Sequence, residues 1–324
     1  MTLNLHLSFK PDNANLDRLR AATPDEVVVT AGDDIPTETH VLVSGRPTRA
    51  QLDELPDLRV LLIPFVGLPA TTREIMVDYP HIAVYNVHHN APMTAEMALA
   101  LLFSAARSIV PADKVFRTGD WTPRYEGTPI LILEGKTALI LGYGQIGRRV
   151  GAALKAVGMR VVGVRRRVSS AGSDDSVYPP HYLPDLLKQA QVLICTLPGT
   201  PQTEGMIGAE QIALLPPGAV IVNVGRANVI DQHALYEGLK SGHLGAAGLD
   251  VWYTYPPDAD SRTHTFPADV PLWELDNVVM SPHRSGAFNT VEGENRRMDA
   301  IAESINMYLR EGVMPSAVDI EAGY

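Results

Sequence analysis

The most specific spacing of residues that could carry out chemistry is a glycine-rich run, Gly142-Tyr143-Gly144-Gln145-Ile146-Gly147. It follows the apolar segment 139–141 and precedes a helical pattern of apolar residues, so it predicts a tight turn between a strand and a helix. In such a turn the backbone can approach a pyrophosphate, and the positive end of the helix dipole favours phosphate groups. A purely structural turn is the alternative. We predict that a dinucleotide contacts Gly142, Gly144, Gln145, Ile146 and Gly147.

A second feature, a group of arginines after the next apolar run, bears on which dinucleotide is bound. Folds that bind NAD usually have an Asp or Glu about 20 residues beyond the glycines, where it binds the ribose 2′-hydroxyl. Here Arg165 holds that place, followed by Arg166 and Arg167. A guanidinium can pair with a 2′-phosphate, which a carboxylate would repel. We therefore expect NADP(H) to be preferred over NAD(H), with a solvated basic turn as the alternative.

The composition restricts the class of protein. The formal net charge of −10 argues against nucleic-acid binding, which needs a basic face. The only cysteine, Cys195, lies in an apolar run and is expected to be a buried structural thiol. No signal peptide is evident, and the longest apolar helical stretch, 95–106, is too short to span a bilayer. We expect a cytoplasmic protein with no nucleic-acid or membrane partner and no metal site.

Apolar runs alternate with helical patterns along the chain, which is typical of parallel sheets covered by helices on both faces. A helix is expected from Thr94 to about Ile109, and another over 294–310. Because the segment after the last strand is too short for a third domain, the chain should return to its first domain. The predicted strands are four runs at 27–29, 41–43, 60–63 and 82–85, then six at 139–141, 161–164, 192–197, 220–222, 246–251 and 278–280.

The predicted fold class is α/β, with two doubly wound parallel-sheet domains. A Rossmann cofactor domain over 99–287 is inserted into a discontinuous flavodoxin-like substrate domain formed by 1–98 and 288–324. The chain should therefore pass twice from one domain to the other, and these two connections should flank a cleft. Clefts between domains are preferred places for ligands. His88 and His89 fall near the expected edge of this cleft, where we expect a solvated loop rather than contact with substrate.

Five ordered segments make the chain resemble the D-isomer-specific 2-hydroxyacid dehydrogenases over nearly its whole length. The resemblance implies the split two-domain fold and a homodimer formed through the cofactor domain. The dimer arm would comprise the helix from Thr94 and the stretch Arg107–Trp121. The segments are LILGYGQIGRRV, LPGTPQTEGMIG, VIVNVGRANVIDQHAL, AAGLDVW and NVVMSPHRSG.

The resemblance also implies roles for individual residues. Arg226 would bind the substrate carboxylate and polarise the keto oxygen, with a plain surface arginine as the alternative. His283 would donate a proton to the carbonyl as hydride arrives, with a strand-capping histidine as the alternative. Backbone N–H groups near Val66, Gly67 and Leu68 would hold the carboxylate. Further implied cofactor contacts are Arg166, Thr196, Val224, Gly225, Ser285 and Asp250, the last accepting from the nicotinamide carboxamide.

The chain departs from the family at one position. The family has a glutamate five residues after the aspartate of the LDV segment, and it pairs with the catalytic histidine. Counting from Asp250 reaches Tyr255, which stays neutral at pH 7 and cannot stabilise an imidazolium by charge. Three outcomes are open: His283 works alone with a lowered pKa, Asp258 or Asp260 replaces the glutamate, or catalysis is impaired.

The leading prediction is an enzyme that reduces a small 2-keto acid, such as glyoxylate or hydroxypyruvate, to the D-2-hydroxy acid with NADPH, and catalyses the reverse. One alternative is different chemistry on the same frame, such as oxidation of formate or phosphite. Another is a non-catalytic regulator of the corepressor type that binds dinucleotide. The presence of both Arg226 and His283 counts against a purely binding role, and Tyr255 counts for it.

Overall fold

Short apolar runs and amphipathic segments form two compact units, each built on a parallel sheet. A computed structural model describes residues 2–127, 129–166, 176–287 and 290–323. Unit 1 comprises Met1–Ala91 with Ala287–Tyr324, and unit 2 comprises Pro92–Gly286. The predicted α/β class with two parallel sheets is therefore confirmed.

The two sheets contain five and seven strands, and all neighbouring strands run parallel. The strands of unit 1 are β1 (Leu3–Leu7), β2 (Val27–Ala31), β3 (Val41–Val43), β4 (Val60–Ile63) and β5 (Ala83–Asn86). The strands of unit 2 are β6 (Thr137–Leu141), β7 (Arg160–Val164), β8 (Ser176–Tyr178), β9 (Val192–Cys195), β10 (Ala219–Asn223), β11 (Leu244–Leu249) and β12 (Val278–Met280).

The sheet of unit 1 has the order β2-β1-β3-β4-β5, which is the flavodoxin-like order. The prediction of four strands missed β1, because polar His6 and Asn4 interrupt its apolar residues. His6 is buried in the sheet, where its Nδ1 contacts Thr30 Oγ1 at 2.8 Å and its Nε2 contacts the Gly32 carbonyl oxygen at 2.9 Å. Hydrogen bonding therefore allows a polar residue in a strand that the apolar pattern did not reveal.

The sheet of unit 2 has the order β12-β11-β10-β9-β6-β7-β8. Its central part is the Rossmann arrangement, in which the strand before the glycine-rich run lies in the middle. The prediction of six strands missed β8, a half-exposed edge strand of three residues with no apolar run. Alternate residues of β6 enter two apolar clusters: Leu139 and Leu141 in one, Ala138 and Ile140 in the other. The sheet is thus buried on both faces, as its continuous apolar strands predict.

Eleven α-helices surround the sheets in the described part of the chain, and their ends differ from the predictions. The helix predicted over 94–109 is two helices, broken at Ser108, which has a φ of 50°. The predicted domain boundary at 98/99 falls inside the first of them, and the other, at 287/288, adjoins Phe288, outside the described residues. The helices are α1 (Asn13–Ala22), α2 (Arg49–Asp53), α3 (Ala70–Met76), α4 (Ala91–Ala106), α5 (Ile109–Phe116), α6 (Thr122–Tyr125), α7 (Gln145–Ala156), α8 (Leu183–Leu187), α9 (Ala209–Leu214), α10 (Gln232–Lys240) and α11 (Val291–Glu311).

No single helix in the described part of the chain is long and apolar enough to cross a membrane. Helices α4 and α5 meet that criterion only as a pair, by length and composition, and they are bent by 64° at their junction.

Candidate functional site

The glycine-rich run forms the turn between β6 and α7, as its spacing predicts. Gly142 has a φ of 91°, a conformation that favours glycine, and its N–H and that of Tyr143 both donate to the Val164 carbonyl oxygen at 3.0 Å. Helix α7 then begins at Gln145 with no side-chain cap on its first turn. Its free N–H groups and helix dipole therefore form a suitable site for a phosphate group.

The space in front of this helix fits the pyrophosphate of a dinucleotide. A Cβ added at Gly144 would meet nothing closer than the Gly142 carbonyl oxygen at 3.9 Å, so the approach is open. At Gly147 a Cβ would lie 2.7 Å from that same oxygen, so the helix packs directly on the turn. Thr196, at the end of β9, fixes the turn by donating its hydroxyl to the Gly142 carbonyl oxygen at 2.7 Å.

The two described arginines after β7 lie where a 2′-phosphate would be read. Arg165 and Arg166 are both exposed, and the Arg165 N–H donates to the Tyr178 carbonyl oxygen at 3.0 Å. The Arg165 guanidinium makes no ion pair with any residue that the structure describes. Arg167 lies outside the described residues. The backbone of β8 thus fixes where Arg165 emerges, while its side chain stays open to solvent.

Arg226 lies in a short loop after β10 that is held by a buried amide. Asn223, 1% exposed, accepts from the Gly225 N–H at 3.0 Å and donates its Nδ2 hydrogen to the Arg226 carbonyl oxygen at 3.0 Å. Arg226 itself donates from Nη1 to the Gly225 carbonyl oxygen at 2.8 Å and remains partly open to solvent. Desolvation lowers the pKa of its guanidinium, which still carries its charge at neutral pH. The loop therefore presents a fixed cation.

His283 and Tyr255 form a hydrogen-bonded pair in unit 2. The Tyr255 hydroxyl lies 2.8 Å from His283 Nδ1, and its oxygen also accepts from the Trp252 N–H at 3.1 Å. Asp258, one of the two acids considered as an alternative partner of His283, instead accepts from the N–H and hydroxyl of Ser261 at 2.8 and 2.6 Å. Among the described residues, Tyr255 is therefore the partner of His283, and no carboxylate hydrogen-bonds to the imidazole.

The state of this pair follows from its surroundings. Desolvation, and then the nearby charge of Arg226, lowers the pKa of His283 from its usual value near 6.5, and Asp250 opposes them. Desolvation raises the pKa of Tyr255, so its phenol is neutral. A neutral His283 can accept the phenol hydrogen at Nδ1, whereas an imidazolium must donate from Nδ1 to the phenol oxygen. The pair supports both states but stabilises neither by charge.

Asp250 holds the loop that carries His283. Its fully buried carboxylate accepts from the Ser281 hydroxyl at 2.5 Å, the Arg284 N–H at 2.8 Å and the Ser285 N–H at 2.9 Å. The predicted contact with a nicotinamide carboxamide stays a prediction, because these three hydrogen bonds of the Asp250 carboxylate come from the loop that carries His283. They keep His283 in its unusual backbone conformation, with a φ of 55°.

The residues predicted to hold a carboxylate in unit 1 follow β4. Val66, Gly67 and Leu68 are half-buried, and Gly67 has a φ of 94°. The expectation of a solvated loop is wrong for His89, which is 8% exposed and whose pKa is lowered to about 4, mainly by burial. Asn90 beside it is 9% exposed, and its Oδ1 has no partner among the described residues. Asn90 is thus a candidate ligand contact that the spacing did not predict.

Comparison with known proteins identifies the family. The family model described as "D-isomer specific 2-hydroxyacid dehydrogenase, NAD binding domain" matches residues 99–285. The chain is 33% identical over 319 residues to D-3-phosphoglycerate dehydrogenase from Mycobacterium tuberculosis (strain ATCC 25618 / H37Rv), covering 96% of this chain and 54% of that protein. The chain belongs to the D-isomer specific 2-hydroxyacid dehydrogenase family.

Other members of this 2-hydroxyacid dehydrogenase family are similar over more of their own length. Glyoxylate reductase from Pyrococcus furiosus is 30% identical over 297 residues, which is 86% of this chain and 81% of that protein. A D-isomer specific 2-hydroxyacid dehydrogenase from Xanthobacter autotrophicus Py2, crystallised with NADPH and MES, shares the fold with a TM-score of 0.81. It covers 100% of both chains at 24% identity. The present chain spans about half the length of the phosphoglycerate dehydrogenases it matches.

Two residues of the described chain support the predicted site without having been predicted. Asn223 fixes the Arg226 loop, and Trp252 donates from Nε1 to the Ser281 carbonyl oxygen at 2.8 Å as well as from its N–H to Tyr255. Asn223 is a polar residue that ends an apolar strand, a signal that could have revealed it. Trp252 gave no such signal, because its indole hydrogen bond reaches Ser281, 29 residues further along the chain.

Proposed function

We propose that this protein reduces a small 2-keto acid to the D-2-hydroxy acid with NADPH, and catalyses the reverse reaction. The observation that carries the proposal is the placement of Arg226 and His283 after β10 and β12. The ends of parallel strands lie at one edge of a sheet, so both residues follow the same edge as the glycine turn after β6. A fixed cation and an imidazole beside a dinucleotide site suit reduction of an anionic carbonyl compound.

In the proposed reaction, each of these residues would have a separate role. Arg226 binds the carboxylate and keto oxygen of the substrate, and N–H groups of 66–68 hold the carboxylate. The bound dinucleotide supplies the hydride for the keto carbon. His283 donates the proton from Nε2 to the oxygen, while its Nδ1–H donates to the neutral Tyr255 hydroxyl. The lowered pKa of His283 makes its imidazolium a stronger acid, which favours proton donation but requires a more acidic solution.

Turnover assays with a panel of 2-keto acids test this proposal. We expect the wild type to oxidise NADPH with glyoxylate or hydroxypyruvate. Arg226→Ala and His283→Ala should each lower kcat/KM by about 100-fold or more, because charge stabilisation and proton transfer in the transition state are lost. Exposed Arg262, on a 3₁₀ turn, provides the control Arg262→Ala. Losses of about tenfold or less in both site variants would favour a dinucleotide-binding regulator instead.

The preference for NADPH rests on exposed Arg165 and has its own test. The variant Arg165→Asp removes the cation and adds a repulsive charge, so kcat/KM with NADPH relative to NADH should fall by about 100-fold or more. Arg160→Asp, at the opposite end of β7, is the matched control and should leave the ratio unchanged. Equal use of both cofactors by the wild type would contradict the preference.

We also propose that the protein is a cytoplasmic homodimer. Supporting the dimer, α5, α6 and their connections expose large apolar side chains in unit 2. Phe116 and Trp121 are 51% and 57% exposed, and their rings pack edge to face with centroids 4.7 Å apart. An ordered apolar surface of this kind is typical of a protein interface.

A further inference from the structure

Unit 1 contains a cavity of about 440 Å³ at the carboxyl ends of its central strands. Ser8 follows β1, Ser44 and Arg46 follow β3, and Phe65 follows β4; all four line it, together with residues of α11. All strands of the order β2-β1-β3-β4-β5 are parallel, but β2 lies on one side of β1 and the later strands lie on the other side. The order in which strands are added to the sheet therefore reverses between β1 and β3. Ligands of open α/β sheets bind at such a reversal, at the carboxyl ends of the strands.

Two hydroxyl groups stand at this reversal. The backbones of Ser8 and Ser44 are fixed by N–H bonds to the Val43 and Leu62 carbonyl oxygens at 3.0 and 3.1 Å. Their hydroxyls have no hydrogen-bond partner among the residues that the structure describes, although Ser44 is only 4% exposed. Both serines line the cavity, so their hydroxyls can donate to a ligand oxygen there.

The charged residues of the cavity leave it with an excess of positive charge. On α11, Arg297 lies 3.1 Å from Glu294, and their side chains are 13% and 23% exposed. This pair is close to neutral, whereas exposed Arg46 adds a further cation to the lining. An uncharged ligand would displace water from these charged groups without replacing its hydrogen bonds, and that displacement would be costly. The lining therefore favours an anion.

We propose that this cavity binds a second anionic group of the substrate, a carboxylate or a phosphate at the end of the 2-keto acid away from its C1 carboxylate. The inference rests on the proposed reductase function. The cavity adjoins the predicted C1 carboxylate site in the sequence, because Phe65 in the cavity wall is followed directly by Val66, Gly67 and Leu68. A cavity of this volume holds far more than the hydrogen atom that glyoxylate carries.

The test compares 2-keto acids that have the same number of carbon atoms and differ in a second anionic group. The wild type should have a higher kcat/KM for 2-oxoglutarate than for 2-oxopentanoate, or for 3-phosphohydroxypyruvate than for hydroxypyruvate; the two pairs distinguish carboxylate from phosphate. Within the preferred pair, Arg46→Gln should lower the ratio of kcat/KM for the substrate with a second anionic group to kcat/KM for the substrate without one about tenfold or more, the loss typical of a charge-assisted hydrogen bond. Arg297→Gln should act in the same direction.

Arg296→Gln is the matched control. Arg296 precedes Arg297 on α11 but pairs with Glu292 and is 48% exposed, so its removal should leave the ratios unchanged. An unchanged ratio in Arg46→Gln overturns the inference, and so does equal use by the wild type of substrates with and without a second anionic group. Because Arg297→Gln leaves Glu294 without its partner and can unfold the chain, the conclusion depends on Arg46→Gln.

Binding without turnover separates this inference from the reductase proposal. By calorimetry, glutarate should bind the wild type about tenfold more tightly than pentanoate, or 3-phosphoglycerate more tightly than glycerate, and Arg46→Gln should remove the difference. Equal affinities within both pairs overturn the inference whether or not any keto acid is reduced. If no 2-keto acid is reduced but the ligand with the second anionic group is still preferred, the reductase proposal fails and the anion site stands.

Discussion

At the scale of single residues, the unusual feature is a neutral partner for the proposed proton donor. Counting five residues from Asp250 indicated Tyr255, and the structure places its hydroxyl 2.8 Å from His283 Nδ1. Whether Tyr255 or Asp258 would contact His283 could not be read from the sequence. The answer depends on a loop in which Ser261 takes up the Asp258 carboxylate.

The pH dependence of reduction tests this pair. His283 donates a proton only as an imidazolium, so kcat/KM for reduction should fall as pH rises through its pKa. Because that pKa is lowered, the fall in the wild type should begin below about pH 6.5. Tyr255→Glu places a carboxylate beside the imidazole, which raises its pKa and should move the fall at least about one unit toward alkaline pH.

Tyr255→Phe is the control for this shift, since it removes the hydroxyl without adding charge. It should change the midpoint much less than Tyr255→Glu does. If Tyr255→Glu does not shift the pH at which kcat/KM falls, then His283 is not the titrating acid, or another group already places a negative charge beside the imidazole.

At the scale of elements, loops at the carboxyl ends of parallel strands carry most of the proposed site. Hydrogen bonds hold each of these loops: half-buried Thr196 holds the glycine turn after β6, and buried Asn223 and Asp250 hold the Arg226 loop after β10 and the His283 loop after β12. The sequence located all three loops, because continuous apolar strands mark their positions. It revealed less of what holds the first and third loops, because the hydrogen bonds of Thr196 and Asp250 join segments distant in the chain.

Two glycines of one turn should respond differently to the same substitution. A Cβ at Gly147 would lie 2.7 Å from the Gly142 carbonyl oxygen, so Gly147→Ala should lower the free energy of unfolding by about 1–3 kcal/mol. At Gly144 the nearest such contact is 3.9 Å, so Gly144→Ala should leave stability nearly unchanged and weaken dinucleotide binding. Denaturant unfolding and NADPH titration measure the two effects. Equal loss of stability in both variants would contradict this separation.

At the scale of the whole molecule, the chain forms two units, and unit 2 carries an exposed apolar arm. The interruption of unit 1 was predictable, since the residues after β12 are too few for a further domain. The break between α4 and α5 could not be predicted from the sequence. It depends on the left-handed backbone of Ser108, a residue whose hydroxyl donates to the Pro129 carbonyl oxygen at 2.9 Å.

The proposed dimer can be tested through this arm. Phe116→Glu places a charge among exposed apolar side chains, so it should convert a dimer into a monomer with little loss of folding stability. Val77→Glu, a change at a residue of unit 1 that is 65% exposed, is the matched control. Light scattering after size-exclusion chromatography measures the mass. A monomeric wild type at tens of micromolar would refute the proposed dimer.

The sequence by itself determined the fold class, the inserted unit, the glycine turn and the loops that carry Arg226 and His283. These depend on local patterns: apolar strands, helical periodicity and residues at fixed spacing. Tertiary structure alone decided that Tyr255 rather than Asp258 contacts His283, and that Asp250 is occupied by the His283 loop. It also brought Ser8, Ser44, Arg46 and Arg297 around one cavity. Those contacts join residues far apart in the chain, so their distances follow from packing and from no spacing in the sequence.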